Sequence, residues 1–241
     1  MALPKIDLPI FELELPSTGE KVKYRPFTVK EEKILLVAQE SKEARQEVLA
    51  SKQIVNNCLI EKDVSDLAMF DLEYILLILR SKSVNNEIGF NIKDKDTDED
   101  VKLNLDLDTV TLTRFDGHTN EIKINEDLVL YLKYPTIDEY VKMADLDPSD
   151  PLANYYMMVS CMDKIASEDE VHNFAEYKTE EVDAFVENFA GQVVKGISLF
   201  FETVPKLRHE IKYTNEKGDD KTFVIEGMKT FFPNAVPYVV T

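Results

Sequence analysis

The chain has 241 residues, 44% of them hydrophobic, and sets 46 acidic against 28 basic side chains for a net charge of −18. That hydrophobic share excludes a disordered acidic tail, while the charge argues against generic binding to a phosphate backbone and for solubility and basic protein partners. No apolar run approaches the roughly 18 residues that span a bilayer, and MALPKIDLPIFELELP lacks the basic and apolar regions of a signal peptide, so secretion and membrane anchoring are not expected.

From the N-terminus, IFELEL and EKVKYRPF alternate as strands and are joined by the turn cluster Pro16-Ser17-Thr18-Gly19, which predicts a hairpin. Pro26 pushes Arg25 out of the helical region, and Thr28 with Glu31 has capping-box spacing, so a first helix is expected over 29–40. A second is expected over 42–59. A third, over 65–81, carries LAMFDLEYILLILR, apolar around most of its circumference and therefore a core helix.

From Glu87 to Lys133 the period changes to two, in EIGFNIK, VKLNLDL, TVTLTR, EIKIN and LVLYLKY, which predicts an antiparallel meander. Tyr134-Pro135-Thr136 ends it, and Thr136 with Glu139 repeats the capping spacing ahead of IDEYVKMA, so this junction mirrors the one at Thr28. Helices are expected in SDPLANYYMMVSCMDKIA and in TEEVDAFVENFAGQVVKGISLFFETVPKL, the latter divided or kinked at Gly191 and Gly196. LRHEIKYTNEKGDDKTFVIEG predicts a hairpin turning at 215–220, followed by an aromatic, proline-containing tail.

The expected class is α+β: a helical core with an N-terminal β-hairpin, a central antiparallel β meander and a C-terminal hairpin. Its expected parts are 1–86 (hairpin and helices), 87–134 (meander or insertion) and 135–241 (helices, hairpin and tail), as separate units or as one domain.

Candidate chemistry is sparse. Asp94-Lys95-Asp96-Thr97-Asp98-Glu99-Asp100 has the alternating carboxylates of a calcium loop, but the sixth and twelfth positions hold Glu99 and Leu105 where an EF-hand needs Gly and Glu; a solvated turn is the expectation. His118, His172 and His209, in a turn, a polar loop and a strand start, share no metal or catalytic spacing. Cys58 and Cys161 lie in helical segments without C-x-x-C spacing and read as buried thiols. With no Walker loop, no G-x-S-x-G elbow and no G-x-G-x-x-G, the expectation is no cofactor, no metal and no catalytic site, and no small-molecule or nucleic-acid ligand. The tail residues Phe231, Phe232 and Tyr238 are either folded back on the core or offered to a partner.

The stretches 15–41 (LPSTGEKVKYRPFTVKEEKILLVAQES), Asp71–Val84 (DLEYILLILRSKSV) and Tyr131–Met143 (YLKYPTIDEYVKM) resemble successive landmarks of the T4-like phage baseplate hub family, which includes a central hub subunit and a hub assembly catalyst. The resemblance implies a non-enzymatic late protein that binds other hub or tail proteins, in the host cytoplasm during assembly and in the virion baseplate if it is retained. It points to Arg25, Phe27, Lys30, Glu31 and Glu32 as partner-binding residues, although Phe27 packing under the first helix and Glu31 capping it explain the same pattern. Two further readings stand beside it: an acidic chaperone that shields a hydrophobic tail protein, and a nucleic-acid mimic that inhibits a host protein.

Overall fold

The alternation at the N-terminus becomes β1 (Phe11–Glu14) and β2 (Lys21–Tyr24), antiparallel with Leu13 opposite Val22; both are buried while their charged neighbours face water. The structure, a computed structural model, describes Pro4 and residues 6–41, 43–144 and 152–227, so Phe231, Phe232 and Tyr238 lie outside the described residues. Gly19 closes the hairpin turn at φ +72°, a conformation that would strain any side chain. β3 (Leu59–Ile60) adds to the free side of β2, and the connection between them is α1 (Val29–Ser41) and α2 (Ala44–Cys58). α3 (Met69–Ser83) is the core helix its composition demands, with Leu72, Ile75, Leu77 and Leu79 fully buried.

The α+β class holds, with both terminal hairpins and antiparallel strands between them. The central strands do not stay in one sheet, however. β4 (Glu87–Lys93) and β5 (Asp100–Asp106) form a hairpin, and β6 (Thr111–Thr113) pairs with β11 (Lys206–Thr214), itself paired with β12 (Asp220–Glu226). β7 (Glu121–Lys123) and β8 (Val129–Leu132) enter a separate sheet of order β10-β9-β8-β7. Period two fixes which face of a strand is buried but not which neighbour it takes.

α4 (Ile137–Ala144) and α5 (Ala153–Ser160) follow β8. The helix expected through Ala166 stops at Ser160: Cys161 lies in a turn, and Met162–Ala166 is β9, drawn into pairing with β8. β10 (Val171–Asn173) contains His172, expected in a loop. The long C-terminal helix is two, α6 (Thr179–Val186) and α7 (Gly191–Thr203), divided before Gly191.

Two compact units result, one from residues 114–205 and the other from the described residues of 1–113 and 206–227. The core of the former joins Ile122, Leu130, Leu132 and Met162 of its sheet to Val182, Val186, Val193, Ile197 and Phe200 of α6 and α7.

The chain order also repeats. Two strands, two helices, a third strand added to the second, a helix and a hairpin occur as β1-β2-α1-α2-β3-α3-β4-β5 and as β7-β8-α4-α5-β9-α7-β11-β12. The detail repeats too. Arg25 N donates to Cys58 O at 2.9 Å, and Lys133 N to Cys161 O at 2.8 Å. α3 and α7 both start after an alanine N-cap, Ala68 and Ala190, in near-identical extended conformation. In the hairpin turns, Asp94 Oδ1 accepts from Asp96 N and Thr97 N, as Asn215 Oδ1 accepts from Lys217 N and Asp219 N.

Candidate interaction surface

The junction from β2 into α1 is built around a buried carboxylate. Pro26 and Phe27 are non-helical, so Thr28 becomes the first residue with helix-start geometry, and Glu31 reaches back to accept from Thr28 N at 2.9 Å and Thr28 Oγ1 at 2.7 Å. Arg25 Nη2 donates to the other oxygen at 3.1 Å, joined by Asn57 Nδ2 at 3.4 Å. Glu31 is 0% exposed. Burial disfavours its charge, but the donors from Arg25 and Thr28 outweigh that and hold the carboxyl down at about 2. Arg25 Nη1 also caps Pro26 O at 2.9 Å. Arg25 and Glu31 are thus brought together and engaged with each other.

Phe27 is half-buried, its amide donating to Ser83 Oγ of α3 at 2.9 Å. Lys30 is exposed and Glu32 half-buried, its charge felt by the Arg80 guanidinium. Because α1 turns its anion inward, its outward side carries what an ordinary surface helix would bury. Val29 and Val37 are 59% and 69% exposed, with Leu36 beside them, at spacings that share one face. The segment before β1 adds exposed Ile6 and Ile10, and the first residue of β1 adds Phe11. Reasoning on charged residues misses this face; its signal is ILLVA, apolar around the whole helix while Glu31 already occupies the inner side.

The second junction reproduces the geometry. Thr136 N donates to Glu139 Oε2 at 2.6 Å, Glu139 N to Thr136 Oγ1 at 3.3 Å, and Lys133 Nζ lies 3.3 Å from Glu139 Oε1. Where the first junction has Phe27, this one has Pro135, which has no amide to give. Thr203, which ends α7 as Ser83 ends α3, meets His118 Nδ1 instead, at 2.8 Å. Thr203 Oγ1 donates to Leu199 O, so it accepts from His118, whose Nε2 then accepts from Tyr134 OH at 3.0 Å. Burial lowers the His118 pKa, and the ring stacks on Tyr134 and Phe200.

The remaining candidates are likewise engaged. Asp94 is 2% exposed; Tyr213 OH donates to it at 2.8 Å, and with the Asp96 and Thr97 donors this outweighs burial and holds the carboxyl at about 2. Asp96 meets Lys221, and Glu99 accepts from Glu216 N at 3.1 Å, so the acidic turn of β4-β5 is tied to the turn of β11-β12. Among the described residues no group of three or more His, Cys, Asp or Glu could hold a metal ion. Burial pushes the Cys58 thiol up to about 11 and the Cys161 thiol up to about 12, far from a reactive thiolate. No helix among the described residues is long and apolar enough to cross a membrane.

Residues 8–233 match a family model described as T4 bacteriophage base plate protein. No curated protein and no solved structure matches the chain.

Proposed function

Because the chain belongs to the T4 bacteriophage base plate protein family, we propose that it is a component or assembly factor of the baseplate hub, acting by protein–protein contacts and without catalysis. The observation that carries this reading is the family match, which spans nearly the whole chain. The outward apolar side of α1, flanked by Lys30 and Lys33, and the exposed Ile6, Ile10 and Phe11 supply contact surface of the kind such assemblies bury. In this reading Arg25 and Glu31 act indirectly: their internal pair presents Val29, Leu36 and Val37 to other tail proteins in the host cytoplasm.

Mass spectrometry of tagged chain purified from infected cells, beside that of finished particles, tests the reading. Recovery of hub or tail proteins is expected, with the chain in particles if it is a component and absent from them if it is an assembly factor or chaperone. Recovery of host nucleic-acid-binding proteins without any tail protein would overturn it.

A further inference from the structure

The second repeat departs from the first at one place. β3 reaches α3 through residues 61–68, whereas β9 reaches α7 through residues 167–190, a longer connection that contains β10, a 3₁₀ turn at Phe174–Glu176 and α6. Its inward residues, Val182 and Val186, are buried in the core of residues 114–205. Between this connection and Ile165 of β9 lies a groove of about 330 Å³, walled by Phe174, Tyr177 and Phe185. Ile165 and Val182 make a buried apolar floor, while Tyr177 is 43% exposed at the rim.

The polar groups of this groove are occupied. His172 Nδ1 bonds Tyr177 OH at 2.7 Å, and its Nε2 faces Glu170 Oε2 at 3.3 Å. Glu181 Oε2 accepts from Lys178 N at 3.0 Å, capping α6. A polar metabolite would find no converging free donors here, so what enters must be recognised by apolar contact and by the field around it. That field is negative: from Glu168 to Glu187 there are eight carboxylates and one basic residue, Lys178. Residues 114–205 hold 19 acidic against 7 basic side chains, −12 of the total −18.

We propose that this groove docks a basic segment of a partner protein through an aromatic or aliphatic side chain flanked by lysine or arginine. The volume has room for about one or two large side chains, and the surrounding carboxylates steer and orient the basic flanks. The proposal deepens the reading of the chain as a baseplate protein acting by contacts, and rests on it for the identity of the partner.

Fluorescence anisotropy of the full chain with a short labelled peptide, a Phe-Leu pair flanked by lysines, is the test. Saturable binding is expected, weakened about tenfold by Tyr177→Ala and by the double variant Glu180→Lys/Glu187→Lys, and retained by Tyr177→Phe, which keeps the ring. No saturable binding, equal binding of a peptide with serines for Phe-Leu, or wild-type affinity in Tyr177→Ala or in the double variant would each overturn the groove. Recovery of tail proteins from infected cells by Tyr177→Ala at the wild-type level also overturns the groove and leaves the baseplate reading standing. Peptide binding with no tail protein recovered by the wild-type chain supports the groove and overturns the baseplate reading.

Discussion

Two buried carboxylates in the unit that contains α1 and α3 show how a partner's chemistry decides the worth of a charge. Glu31 has a cation and two local donors from Thr28, so its carboxyl stays charged in the fold down to about pH 2, against an ordinary value of 4.5. Its contribution is therefore fully present above pH 4.5 and lost as pH falls through about 2. Glu31→Gln leaves Arg25 without its anion and is expected to cost about 2–3 kcal/mol at neutral pH, measured by urea unfolding, and to flatten the acid limb of stability. Asp71 is the opposite case. It accepts from Ser17 N at 3.0 Å and from Ser17 Oγ, but burial outweighs these donors and raises its pKa. The fold then takes up a proton before the unfolded chain does, so the charged form costs stability at neutral pH. Asp71→Asn keeps an oxygen for the Ser17 amide and is expected to leave the melting temperature unchanged or higher; Ser17→Ala, which strips a donor from a buried anion, is expected to lower stability by about 1–3 kcal/mol.

Among the elements, α7 shows how closely helix and sheet approach in the residue 114–205 unit. Gly196 lies mid-helix, where glycine costs about 1 kcal/mol relative to alanine, so Gly196→Ala looks favourable on propensity alone. A Cβ there would sit 2.9 Å from Ile122 Cγ2 of β7, and Ile122 is itself buried in the core. The substitution is therefore expected to destabilise by about 1–2 kcal/mol net, seen as a lower melting temperature in calorimetry. α1 illustrates the converse economy: Glu31 on its inner side displaces the aliphatic stripe outward. Val37→Lys is expected to leave folding stability within about 0.5 kcal/mol while reducing recovery of partner proteins, because a side chain 69% exposed has little core contact to lose.

Over the whole molecule, charge is the dominant long-range term. With −18 overall and −12 on residues 114–205, self-repulsion opposes compaction at neutral pH, and added salt screens it within a Debye length of about 10 Å at 0.1 M. The melting temperature at pH 7 is expected to rise with sodium chloride, and solubility to reach its minimum near the sequence pI of 4.6. Below that pH the paired carboxylates Glu31 and Asp94, both held at about 2, are protonated last, and their loss adds to the repulsion among the lysines and arginines.

Local chemistry was readable along the chain wherever one or two neighbours decide it. The capping boxes at Thr28 and Thr136, the Gly19 turn, the apolar circumference of α3 and the break before Gly191 all follow from backbone amides and dihedrals within a few residues, so their form was legible without a fold. The mirrored junctions hinted at a repeat, but its extent rests on the counterpart strands β3 and β9, and β9 was hidden because Met162–Ala166 reads as helix until β8 offers it a ladder. The division of the central strands among sheets depends on which edges are open, a property of the assembled molecule. The same holds for the groove: Ile165, Phe174, Tyr177 and Phe185 follow no helical or strand period together, and only the packing of α6 against β9 collects them. Composition and local pattern determined the α+β class and the acidic surface, because these are sums over residues and short-range bonds. Tertiary structure alone decided that Glu31 lies inside and Val37 outside, because the face a helix buries is chosen by what it packs against.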